Sequence, residues 1–389
     1  MNMLASLFKA NIRQYGMIIA LVLIMLLFHI LSDGILMQPL NMTNLILQNS
    51  YILVLAIGMV LVIITGHIDL SVGSIAAVIG AVAAIMMVHM QMPVWAAILI
   101  SLLLGALIGA WQGFWIAYVG IPSFIVTLAG MLLFRGLTMV VLEGQSISSF
   151  PSAFLAISAG FIPDIAGSSG SLKLTTVIVG IVLSLIFVWN ELRLRRLQNK
   201  YQAQRLPAIW FALKLVLTAA VLNGFMFILA LYEGIPNILI ILAMLIALYT
   251  FVTNRTVIGR HIYATGGNVR AAALSGIKTK RVTFMVFVNM GVLSALAGLI
   301  FASRLSAATP KAGTLFELDA IAACFIGGAS ATGGVGTVIG AMIGGLVMGV
   351  MNNGMSLIGI SIDWQQAIKG LVLLLAVAFD FYIKNRSHA

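Results

Sequence analysis

Side chains able to do chemistry are scarce in this sequence, and those present stand singly among apolar residues. It contains no G-x-S-x-G, no H-E-x-x-H and no pair of histidines at ligand spacing; the five histidines are scattered. The nearest approach to a phosphate loop, Gly276-Ile277-Lys278-Thr279, lacks the glycine-rich lead. A single cysteine, Cys324, excludes a disulfide framework and a multi-cysteine metal site. No catalytic residue, metal site or resident cofactor is therefore expected. What remains are isolated polar groups in apolar surroundings, which are costly to bury unpaired and informative for that reason.

Asp69 is the first of them. It lies in Gly66-His67-Ile68-Asp69-Leu70-Ser71-Val72-Gly73, a polar break between two apolar runs. Two readings stand. Either His67, Asp69 and Ser71 border a permeation path, or the break is a tight turn whose Asp69 caps the next helix. Arg135, inside Phe124–Val141, either pairs with Glu143 or lines the same path. A third group, Asn352, Asn353, Asp363, Trp364, Gln365 and Gln366, clusters at the facing ends of the last two apolar runs. Amides beside an aromatic ring suit a neutral hydroxylated solute such as a sugar; the same residues suit a wet loop equally well. Lys369, a turn further on, can snorkel toward an interface.

The elements that must hold these groups are membrane helices. Hydrophobic residues make up 62% of the 389 and charged residues only 8%, against roughly 25% charged in a soluble domain. Twelve apolar stretches approach or reach the length of a span: 15–31, 45–66, 72–90, 94–118, 123–141, 173–189, 207–231, 236–253, 283–303, 319–330, 337–351 and 364–383. The tenth and eleventh are short and glycine-rich and read as broken or re-entrant. The expected fold is one all-α polytopic bundle over 1–389, with an uncleaved first span. The net charge of +11 does not point to nucleic acid, because the cations fall between spans. With both termini cytoplasmic, the inside segments hold Lys9, Arg13, Arg193, Arg195, Arg196, Lys200, Arg205, Arg255, Arg260, Arg270, Lys278, Lys280, Arg281, Lys384 and Arg386. The outside segments hold mainly acids: Asp33, Glu143, Asp164, Glu233, Glu317, Asp319 and Asp363. That is the sorting the positive-inside rule demands. The 190–206 run is either a surface helix on anionic headgroups or a solvated basic loop.

The longest inside segment, 254–282, carries a second pattern. Gly266-Gly267 supplies a turn, Asn268 an N-cap and Gly276 a stop. The short helix between them leaves Ala271, Ala272, Leu274 and Ile277 to dock a soluble partner.

These residues resemble the permease subunits of bacterial ATP-binding-cassette importers for monosaccharides, in the ribose, xylose and galactose group. The resemblance rests on GHIDLSVGS (66–74), IPSFIVTLAGMLLFRG (121–136), GRHIYATGGNVRAAALSGI (259–277) and ELDAIAACFIGGASATGGVG (317–336), with Trp364-Gln365, Lys369-Gly370 and Asp380. His67 departs from the pattern. Length and the additional helix pair at 173–231 make it most similar to xylose or multiple-monosaccharide permeases. The resemblance implies a homodimeric pore in the bacterial inner membrane, fed by a periplasmic sugar-binding protein. It implies that Gly259, Arg260, Gly266, Gly267, Asn268, Ala271, Ala272, Leu274, Ser275, Gly276 and Ile277 form the loop that couples to a cytoplasmic ATPase, which binds ATP and magnesium. The outer acids Glu317, Asp319 and Asp363 are expected to orient the binding protein. A secondary, ion-coupled transporter of a small polar solute is the alternative; it needs acidic or histidine relays inside spans, and Asp69 is nearly alone.

Overall fold

A computed structural model describes residues 12–165, 172–200 and 207–387, with side chains described for 16–165, 172–198 and 207–378. Lys9 and Arg205 lie outside the described residues, as do the side chains of Arg13, Lys200, Asp380, Lys384 and Arg386. The chain is a polytopic helical membrane protein. Its helices in order are α1 (Ile12–Leu31), α2 (Pro39–Ile64), α3 (Val72–Ala84, closing in a π turn to His89), α4 (Val94–Phe114, closing likewise to Val119), α5 (Ser123–Val141), α6 (Ser152–Ala159), α7 (Leu174–Lys200), α8 (Ala208–Ala230), α9 (Asn237–Arg255), α10 (Val257–Gly267), α11 (Val269–Leu274), α12 (Thr279–Leu305), α13 (Phe316–Ile326), α14 (Val338–Leu357) and α15 (Ile362–Ser387). Among the described residues nine helices are long and apolar enough to cross a membrane: α2, α3, α4, α5, α7, α8, α9, α12 and α14.

Two helices form the axis. α2 is apolar on every face, from Ile52 through Ile64, and is buried almost throughout. α12 packs on α2, α3 and α4. At 27 residues and ~1.5 Å per residue it is about 40 Å long, enough to cross a bilayer. α4 and α12 cross where Gly105 and Gly109 meet Gly291 backbone to backbone, the small-residue crossing that membranes favour because no side chain holds the helices apart. Near the far end of α12, β1 (Ile147–Ser148) and β2 (Ala307–Ala308) pair antiparallel.

Several expectations change. The basic run after 190 is neither a separate surface helix nor a loop where described: α7 continues unbroken to Lys200. α7 and α8 pack chiefly on each other, tied by Glu191–Lys214 at 2.7 Å, by Asn223 donating to Ser184 at 2.6 Å, and by Arg195 over the Phe211 ring at 4.1 Å. Those contacts explain the continuation, since they give the polar turns partners that a loop would lack. Segment 319–330 is the 11-residue α13, whereas 337–351 belongs to the full 20-residue α14. Segment 254–282 is mostly helical, with α10 preceding the short α11.

Candidate functional site

The polar residues gather at two junctions, each where an interrupted helix meets another element. The inner junction forms around the break after α2. Asp69 is fully buried; its Oδ1 accepts from the Ser71 N–H at 2.8 Å and the Ser71 hydroxyl at 2.6 Å. Gln112 of α4 donates to the Ser71 hydroxyl at 2.7 Å, and the Thr127 hydroxyl of α5 donates to the Ile68 carbonyl at 3.4 Å. The break is thus an Asx turn leading into α3 and pinned to two neighbouring helices; the N-cap position is Ser71, and among the described residues Asp69 makes no bond to the first turn of the helix. His67 stands apart, half-buried, its ring 5.8 Å from that of Phe287.

The backbone leading into α13 packs against the start of α3. A Cβ on Gly313 (φ +70°) would overlap the Gly73 carbonyl, so this approach and conformation both require glycine. It brings Glu317 beside Gly73, and Arg135 of α5 donates to the Ala312 carbonyl while facing Glu317. Arg135 thus bonds the Ala312 carbonyl on the segment that carries Glu317, and forms no ion pair with Glu143 among the described residues. Asp319 pairs with Lys369 of α15 at 3.1 Å. Glu317 and Asp319 are only 7% and 5% exposed. They are not surface acids: burial inside the bundle removes the accessibility that orienting a soluble protein requires. Asp363 remains exposed. The result is a group of three buried acids and two half-buried cations, Asp69, Arg135, Glu317, Asp319 and Lys369, contributed by α5, α13, α15 and the α3 entry. One oxygen of it, Glu317 Oε2, makes no hydrogen bond among the described residues.

The second junction begins a few residues earlier in the chain, at the last residue of α2. α10 ends on Gly266 and Gly267, which are helical residues and not the turn that glycine pairing suggested. A Cβ on Gly266 would overlap the Ile64 carbonyl and stand 2.8 Å from the Gly334 N. That same Ile64 carbonyl accepts from the Gly334 N–H at 2.8 Å, and Tyr263 donates to the Gly336 carbonyl at 2.6 Å. Three glycine-bearing segments, 64–66, 263–267 and 333–336, therefore touch through backbone. Asn268 caps α11 by accepting from the Ala271 N–H at 2.9 Å. Beyond it Leu274 is 91% exposed, with Gly259 buried and Arg260, Ala271, Ser275 and Gly276 facing outward and Ile277 half-buried. Ala272 turns inward and is buried, so it is not part of an outward docking face.

The amide cluster separates into different roles. Asn353 and Asn41 exchange reciprocal side-chain hydrogen bonds at 2.9 and 3.0 Å in a buried site, which leaves Asn353 little to offer a solute. Gln365 donates to the Ile360 carbonyl at 2.8 Å and to Ser356 at 3.2 Å, closing the turn between α14 and α15. Asn352 is half-buried with its Oδ1 unpartnered among the described residues, and Trp364 is 69% exposed. Replacing Asn353 by Ala orphans the buried Asn41 Oδ1, while Asn41 Nδ2 keeps the Leu36 carbonyl at 2.9 Å, and costs about 1–3 kcal/mol. The expected result is a lower melting temperature in detergent; a transport defect with unchanged melting would return Asn353 to the path.

Sequence reasoning missed Gln112, Tyr263 and Asn41. A lone Gln within the apolar run 94–118 was a signal of a buried partner; Tyr263 and Asn41 had none.

Comparison with known proteins fits this geometry. The chain is 41% identical over 378 residues to the xylose transport system permease protein of Haemophilus influenzae, covering 97% of this chain and 98% of that one. It is also 41% identical to the xylose transport system permease protein of Escherichia coli K12, covering 97% and 94%. With the ribose import permease protein of Bacillus subtilis the identity is 35%, covering 96% and 94%. No solved structure matches. The family model described as branched-chain amino acid transport system / permease component matches residues 41–377, and the chain belongs to that family of transport-system permeases.

Proposed function

We propose that this chain is the membrane-spanning subunit of an ATP-driven importer that carries a monosaccharide, xylose or a related sugar, across the bacterial inner membrane. The observation that carries it is the near end-to-end match to xylose permeases, 41% over 97% of the chain. In this reading α1, the half-length α13 and α15 would join the nine long helices as twelve membrane segments, with both termini inside. Two copies would form the pore, with a periplasmic binding protein at the mouth near Asp363 and Trp364. A cytoplasmic ATPase would sit against α11, and Leu274 is the natural contact. ATP and magnesium belong to that subunit. ATP binding there need only favour one of two bundle states by differential affinity, and the backbone contact of α10 with Ile64 and Gly334 supplies a rigid lever. The solute path would run beside the Asp69 break and Arg135, with Asn352 contributing one weak hydrogen bond.

The test is uptake by proteoliposomes containing the permease and its ATPase, with the binding protein outside. Expected is ATP-dependent accumulation of labelled xylose, competed by unlabelled sugars and not by leucine. Uptake driven by a proton gradient without ATP would sink the importer reading in favour of a secondary transporter. Competition by leucine alone would move the substrate to amino acids.

A further inference from the structure

A groove of about 710 Å³ opens between α9, α10 and α12. Its size falls within the range of sites for small organic ligands, ~300–1,000 Å³. Leu248 of α9, Ile258 of α10 and Met285 of α12 are exposed apolar side chains that wall it, and Lys278 and Arg281 are exposed cations on its lining. On α12, Arg281, Met285 and Asn289 follow at four-residue intervals, so one helix face runs from cation to apolar group to amide. Tyr249 donates to Asn289 Oδ1, while Asn289 Nδ2 is buried without a hydrogen-bond partner among the described residues. No acidic residue occurs anywhere between Glu233 and Glu317, and among the described residues neither Lys278 nor Arg281 forms an ion pair.

We infer that this groove binds an anionic phospholipid, its phosphate held by Lys278 and Arg281 and its acyl chains against Leu248, Ile258 and Met285. The chemistry selects this occupant. A soluble partner cannot follow the wall along α9 and α12, which are membrane-crossing helices. A second copy would bring the same net +11 and the same basic loops to the rim. A lipid supplies the negative charge and the apolar tail together. The groove adjoins Gly276, so an occupying lipid would brace the segment joining α11 to α12. This inference needs only a membrane location, not a particular transported solute.

Native mass spectrometry of the purified full chain, titrated with phosphatidylglycerol and with phosphatidylcholine of the same acyl chains, tests it. One phosphatidylglycerol should bind with clear preference. In the Lys278→Ser/Arg281→Ser variant that affinity should fall about thirty-fold, as expected for two lost cations near a surface, while phosphatidylcholine is unaffected. Met285→Trp, which fills the groove and keeps both charges, should lose the bound lipid. Equal binding of the two lipids by the wild type, or undiminished phosphatidylglycerol binding in either variant, would overturn the assignment. So would one-for-one displacement by added ATPase subunit, or by millimolar inorganic phosphate, which needs no apolar wall.

Discussion

Valine at Gly266 should abolish transport, lowering ATP-dependent uptake at least ten-fold, whereas valine at the adjacent Gly267 should leave it near wild type. The two glycines share a helix end but not an environment. A Cβ at Gly266 overlaps the Ile64 carbonyl, and that carbonyl is already committed to the Gly334 N–H at 2.8 Å. Backbone on both sides cannot rotate aside as a side chain would, so α10 must lift from the break. Overpacking of this kind costs about 1–3 kcal/mol, and losing the Ile64–Gly334 bond adds ~1 kcal/mol. A Cβ at Gly267 meets nothing within 4 Å. Because the strain sits at one end of the bundle, the α4–α12 crossing and the α2 core should still form, and the variant should still be recovered from membranes. Uptake by Gly266→Val at the wild-type rate would show that α10 and the break can part without consequence, and the lever role would fall.

How much of this was legible in the sequence depends on what each residue touches. Span positions were readable because a lipid-facing helix needs only length and apolarity, and α2 to α5 begin and end within a few residues of the apolar runs, except at the start of α2. The Asn268 cap was readable because capping is local. Gly266 was misread as a turn residue. Its cause is the Ile64 carbonyl two hundred residues away, and no local signal distinguishes a glycine chosen for close approach from one chosen for a bend. Glu317 and Asp319 were misplaced for a similar reason. Next to a span end, two acids look like surface residues until the segment into α13 is seen to pack against Gly73 and bring them to Arg135 and Lys369. The pairing of Asn353 with Asn41 is a contact between α14 and the start of α2, and neither residue carries a mark of the other.

Aspartate at Leu274 should separate the permease from its ATPase while leaving the fold intact. Leu274 is the most exposed of the large apolar side chains described, 91% accessible at the end of a capped six-residue helix. Its exposure contributes nothing to the isolated chain, so its removal should not shift melting. Such a residue becomes stabilising only when a partner covers it, and an apolar anchor in a desolvated contact is worth 2 kcal/mol or more. A carboxylate there adds the cost of an unpaired buried charge. The exposed cations Arg260 of α10 and Arg270 of α11 would steer an acidic partner surface but leave the short-range contact to Leu274. The expected outcome is a fall of at least about thirty-fold in ATPase affinity, read by titrating labelled ATPase onto the detergent-purified permease, together with loss of uptake and unchanged thermal stability. Ala272→Asp is not an equivalent test, since Ala272 is buried and a charge there would disrupt α11 itself. If Leu274→Asp keeps both its affinity and its uptake, the ATPase meets another part of this face, and the outward cluster of Ala271, Leu274 and Ile277 serves a different contact.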